Sequence, residues 1–209
     1  MTCIEQKIKD LAIKYSNELK QKISNREREM LNDDKDHYLI YQVLGISNKE
    51  GDLIDLYQNK GRFLYKYAGS FLEEATILCL QERFCDCKPK IKIQNTISAR
   101  PKNVEIDCLV ANNAYEIKWR DATTDGDHIT KEHTRVKVIK EHGYKPIRIM
   151  FYYPNREQAI RIQDTLKTLY LGIGGEYYSG EAAWEYLKKV TNVDLKNILY
   201  NIVKFQEAE

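Results

Sequence analysis

Three residues close together in the chain, Asp107, Glu116 and Lys118, have the types and spacing needed to hydrolyse a phosphodiester. Two carboxylates can hold a divalent cation, which activates water and offsets the charge building on phosphorus and the leaving oxygen. Hard oxygen ligands favour Mg²⁺, which keeps several of its own waters and so needs only a few carboxylates. A lysine beside them can orient the attacking water or stabilise transition-state charge. An acid followed by Glu-x-Lys also arises by chance. The reading therefore depends on the elements that carry the three residues.

Val104 to Trp119 consists of two apolar-alternating runs with Asn112 and Asn113 between them. Asparagine tolerates the positive φ of a two-residue hairpin turn. A turn centred there predicts Asp107 opposite Lys118 and Leu109 opposite Glu116. Strand side chains alternate, so Asp107, Glu116 and Lys118 share one face, with Ile106, Cys108, Tyr115 and Ile117 on the other. Three charges in so apolar a hairpin are costly to bury unless they are paired or bind something. The alternative is a surface Asp–Lys pair worth about 0.2–1 kcal/mol, with Glu116 in solvent.

Around the hairpin the chain reads as helical, then strand-rich, then helical. Apolar spacing predicts helices over 4–23, 35–44, 49–59 and 63–83, the third after a Ser47-Asn48 cap. Strands are expected at 90–93, 104–111, 114–119 and 147–153. A polar loop over 120–127 leads to a helix over 128–142, stopped by Gly143, with Asp127 as its N-cap. Asn155 can cap a helix running to Leu171. A flexible turn region over 172–180 and one or two helices over 181–205 complete the chain. The expected fold is α/β, with a mixed central sheet flanked by helices and extra N- and C-terminal helices. All 209 residues are read as one domain, divided into a helical subregion (1–60), a catalytic core (61–171) and a C-terminal helical subregion (172–209).

Asp107, followed nine positions later by Glu116-Ile117-Lys118, resembles the PD-(D/E)xK nuclease motif, and the element order resembles the restriction-endonuclease-like core. Ile106 stands where that motif has proline. The run from Glu116 through His128 to Arg135 is similar to the ApaLI-type restriction endonucleases. The resemblance implies a type II enzyme that cuts both strands of a short, palindromic, GC-containing duplex site with Mg²⁺. A structure-specific repair nuclease, a junction resolvase and a non-catalytic DNA-binding protein are the alternative readings. Cutting a palindrome calls for two-fold symmetry, so a homodimer is expected, with the N-terminal helices as candidate interface.

The resemblance also implies a further acid on the helix before the sheet, and Glu73 and Glu74 are the candidates. Glu74 interrupts the stripe Tyr67, Phe71, Leu78 and is preferred, because an inward carboxylate wants a cation. Candidate DNA contacts are Arg120, Thr123 and Thr124 in the polar loop, and His128, Lys131 and Arg135 on one side of the next helix. Arg100 and Lys102 flank the first strand and offer charge to phosphates.

The net charge of +2 does not by itself indicate a nucleic-acid partner. The five cysteines are an odd number without zinc-ribbon spacing and read as free thiols in a reducing compartment. No apolar run suits a signal peptide or a membrane span, so a cytoplasmic, prokaryotic location is expected.

Overall fold

The computed structural model describes residues 2–120 and 127–206, apart from the side chains of Asp127, His128 and Gln206. They group into two compact units: Lys9–Phe71, and Met1–Ile8 with Leu72–Glu209. Helices α1 (Cys3–Leu31) and α3 (Asn48–Arg83) contribute to both, and the short α2 (Tyr38–Val43) lies in the first. None of the described helices is long and apolar enough to cross a membrane.

Helix α3 starts with a capping box. Ser47 Oγ accepts the Glu50 amide N–H, and Glu50 Oε2 accepts the Ser47 amide at 3.0 Å. The sequence predicts two helices here, broken near residue 60, but α3 is continuous. Gly61 costs only about 1 kcal/mol relative to alanine in a helix. Within the first unit Tyr15 meets Tyr67 and Phe71 edge-on, and Lys60 pairs with Glu27 across α1 and α3. Those contacts outweigh the glycine.

The second unit is built on one five-stranded sheet of order β1-β2-β3-β4-β5: β1 (Lys88–Gln94), β2 (Asn103–Val110), β3 (Asn113–Arg120), β4 (Lys145–Tyr152) and β5 (Glu176–Ser179). β1, β2 and β3 pair antiparallel, and β4 and β5 extend the sheet in parallel. The sheet is therefore mixed, as expected. α4 (Asp127–Glu141) and α5 (Glu157–Gly172) make the two crossovers. They meet Val136, Met150, Leu166, Tyr170 and Tyr177 in one apolar cluster. Trp184 of α6 (Glu181–Thr191) packs on Phe151, while Met150 beside it in β4 joins the α4–α5 cluster, so α6 covers the opposite face. α7 (Leu195–Gln206) follows.

The hairpin register differs from the expected one. Cys108 faces Tyr115 and Val110 faces Asn113, so the turn is Ala111-Asn112. Two contacts place it there. The Asp86 carboxylate accepts the Ala111 amide at 2.8 Å, with Ala111 at φ 48°. Asn113 pairs with Lys145 of β4, whose amide donates to the Asn112 carbonyl at 2.7 Å. The shift moves each partner by two positions, so the side chains keep their faces. Leu109 lies opposite Ala114, and Glu116, rather than Lys118, takes the place opposite Asp107 by extension of the ladder.

Residues 172–180, expected as a flexible turn, contain β5. Its short run is hidden among flanking glycines, of which Gly175 is there for a steric reason. A Cβ on Gly175 would stand 2.6 Å from the Pro146 carbonyl oxygen and 2.9 Å from that of Tyr170. Nor does Asn155 cap α5: the N-cap is Arg156, extended and without a side-chain cap bond. Gly175→Ala is expected to cost about 1–3 kcal/mol by overpacking against backbone that cannot give way. Gly172→Ala, where a Cβ meets open space, stays near neutral. Paired urea denaturation curves check this, and equal midpoints for the two variants would contradict it.

Candidate active site

The hairpin brings Asp107, Glu116 and Lys118 together. Asp107 is 7% exposed and Glu116 is 2% exposed. The alternative of a solvent-facing Glu116 is thereby excluded. Asp107 Oδ2 accepts the Ile117 amide at 2.8 Å, which ties β2 to β3 at the centre of the site. Lys118 Nζ lies 2.6 Å from Glu116 Oε1, and the other oxygen, Oε2, is met by the Arg135 guanidinium.

The charges behind the hairpin form a chain that leads away from solvent. Arg135 Nε lies 3.2 Å from Glu132 Oε1, and its NH1 donates to the Glu105 carbonyl at 2.9 Å. The second Glu132 oxygen is 3.1 Å from Arg148 NH1 and accepts the Tyr170 hydroxyl at 3.1 Å. The Arg148 side chain is 0% exposed. Two carboxylates, Glu116 and Glu132, thus alternate with three cations, Lys118, Arg135 and Arg148, and this alternation makes the burial tolerable. Glu132 breaks the apolar stripe of Ile129, Val136 and Ile139 on α4, and Arg148 is the one charge between Pro146 and Tyr152 on β4. The interrupted stripe was the available sequence signal for Glu132, the same signal that singles out Glu74 on α3.

Burial, and then the charge of Glu116, push the Asp107 carboxyl above the ordinary carboxylate range. Burial would do the same to Glu116, but Lys118, Arg135 and Arg148 outweigh it and hold Glu116 low. Lys118 is likewise kept protonated: Glu116 and Asp107 overcome the effect of its burial. One acid is thus firmly ionised among cations, while its neighbour still lacks charge compensation. These two, Asp107 and Glu116, are the residues able to hold a hard cation. Among the described residues no group of three or more His, Cys, Asp or Glu side chains gathers around a common point.

The other expected site residues are dispersed. The buried stripe of α3 runs through Leu72, Ala75, Thr76, Cys79 and Leu80, with Glu73 and Glu74 partly buried beside it. Glu73 pairs with Lys90 of β1. Arg135 is turned inward, with its side chain 26% exposed and engaged by Glu116 and Glu132. Lys131 and Arg120 are exposed on α4 and at the end of β3, and Arg100 and Lys102 are exposed between β1 and β2. Thr123 and Thr124, with the side chains of Asp127 and His128, lie outside the described residues.

Removing Glu132 tests the buried chain. Glu132→Ala leaves Arg148 buried without its carboxylate and is expected to cost about 3–5 kcal/mol. Tyr170→Phe, which removes only one hydrogen bond to the same carboxylate, is expected to cost about 1–2 kcal/mol. Denaturant unfolding of both variants measures the difference, and a Glu132→Ala cost no larger than that of Tyr170→Phe would contradict the arrangement.

A family model describing ApaLI-like restriction endonucleases matches residues 1–204. No curated protein and no solved structure matches the chain. The family match takes in the N-terminal helices, the β2–β3 hairpin, the crossover helices and most of α7. The chain therefore belongs to the ApaLI-like restriction endonuclease family and is by that membership a DNA-cleaving hydrolase.

Proposed function

We propose that the protein is a type II restriction endonuclease of the PD-(D/E)xK kind that hydrolyses both strands of a short palindromic DNA site. The observation that carries this reading is the pair of buried, adjoining carboxylates, Asp107 and Glu116, with Lys118 at 2.6 Å from the second. Asp107 and Glu116 are hard oxygen donors, both buried, and Asp107 is left short of positive charge by its burial and by the neighbouring Glu116. Two carboxylates, with the remaining positions left to water and phosphate oxygens, suit Mg²⁺. When bound, the ion supplies an activated water and charge compensation at the phosphorus and the leaving oxygen.

The chain's own residues do the rest. Arg135 and the Ile117 amide fix the two carboxylates in orientation, so their alignment does not wait for DNA. Lys118, one third exposed and held protonated, orients the attacking water or donates to a phosphate oxygen as negative charge develops there. Glu74 is proposed as the supporting acid of α3. Arg120 and Lys131 supply exposed charge beside the site, and Arg100 and Lys102 do so between β1 and β2. Thr123, Thr124 and His128 are proposed to contact DNA from the segment between β3 and α4. A palindromic substrate is matched by a homodimer.

Purified protein incubated with phage DNA tests this. The expected result is discrete fragments with Mg²⁺, none with EDTA, and at least a roughly 100-fold slower cut by Lys118→Ala. Intact duplex throughout, from folded protein that still binds DNA, would exclude the proposed reaction. Cleavage confined to branched substrates would replace it with a structure-specific nuclease.

A further inference from the structure

Two cysteines that the active site does not use stand in unusual proximity. Cys87 Sγ and Cys108 Sγ are 2.8 Å apart, although the residues are 21 positions apart in sequence. Cys108 is fully buried in β2, across from Pro89, and Cys87 is partly buried just before β1. The backbone on both sides of Cys87 is anchored to the hairpin. Asp86 accepts the Ala111 amide, and Lys88 begins the β1–β2 ladder opposite Leu109. Strand pairing therefore holds together the two backbones from which the sulfurs approach.

A shared metal does not explain the pair. Two thiolates on a tetrahedral zinc, with Zn–S of about 2.3 Å, sit roughly 3.8 Å apart. Among the described residues no group of three His, Cys, Asp or Glu donors is present to complete such a site. The sulfurs lie less than about 1 Å outside the bonded S–S distance of about 2.05 Å. The geometry suits one covalent step.

We propose that Cys87 and Cys108 are a modification site: a dithiol that low-molecular-weight disulfides convert reversibly to a cystine. In the first step the Cys87 sulfur, as thiolate, attacks one sulfur of the small disulfide. That S–S bond breaks, a mixed disulfide forms on Cys87, and the departing thiolate takes up the proton that Cys87 lost. In the second step the Cys108 sulfur attacks the Cys87 sulfur and displaces the second small thiolate, which takes up the Cys108 proton. Two protein thiols are oxidised and one small disulfide is reduced to two thiols. Cys87 is the entry point because it is the more exposed of the pair. The product ties the α3–β1 connection to the strand that carries Asp107, one position from Cys108. The inference is independent of the metal and of the cleavage reaction.

The test treats the native full-length chain with oxidised glutathione, then blocks remaining thiols in denaturant and maps peptides without reduction. The expected product has a mass lowered by two hydrogens, a Cys87–Cys108 linked peptide, and Cys3, Cys79 and Cys85 blocked as free thiols. Its thermal midpoint is expected to rise by about 5 °C, reversed by dithiothreitol, since the bridge closes a loop of some twenty residues. Cys87→Ser, at the partly buried position, should melt equally in both conditions. Glutathione remaining on Cys87, a bridge that includes Cys85, or five free thiols would each overturn the proposal.

Discussion

The site is organised around one buried anion. Glu116 is nearly inaccessible to solvent, and an isolated carboxylate in that position would take up a proton. It stays ionised because Lys118 and Arg135 meet its two oxygens, with Arg148 behind them. Each cation must itself be balanced, which brings Glu132 and Tyr170 into the interior. The positions of α4, α5 and β4 follow from this sequence of compensations as much as from their apolar faces. α4 must bring Glu132 and Arg135 to the hairpin, α5 must bring Tyr170 to Glu132, and β4 must place Arg148 beside Glu116 in the parallel ladder.

The balance is incomplete at one place. Asp107 adjoins Glu116, is almost as buried, and is driven toward the neutral form by that burial and by its neighbour's charge. A protein selected only for stability gains nothing from this arrangement, whereas a nuclease that must hold a divalent cation has use for it. The same comparison separates the two arginines from the lysine. Arg135 and Arg148 are planar, permanently charged and held among carboxylates, which suits them to orient Glu116. Lys118 keeps a third of its side chain exposed.

Much of this was legible in the sequence, for identifiable reasons. Alternation over 104–111 and 114–119 sets the face on which Asp107, Glu116 and Lys118 emerge, and that face is unchanged by the shifted turn because the register moves by an even number of residues. The turn itself depended on Asp86, a contact 25 positions away that no local pattern contains. β5 is not legible in the sequence because its glycines resemble a loop, yet Gly175 is required by the close approach of Pro146 and Tyr170. In the sequence Arg135 shares one side of its helix with His128 and Lys131. Its ion-pair partners, Glu116 and Glu132, lie on another strand and one turn back on the same helix. Charges that are paired in the interior look like solvated charges until the pairing is known.

The central claim is that Asp107 and Glu116 form a cation site completed by the fold before DNA arrives. Thermal melting of the DNA-free protein across a Mg²⁺ titration tests it most directly, since a ligand of the native state raises the midpoint in proportion to its binding free energy. The account predicts a rise that grows with Mg²⁺ in the wild type and is lost in both Asp107→Asn and Glu116→Gln. An equal rise in the wild type and both variants would place the bound cation elsewhere and contradict the account.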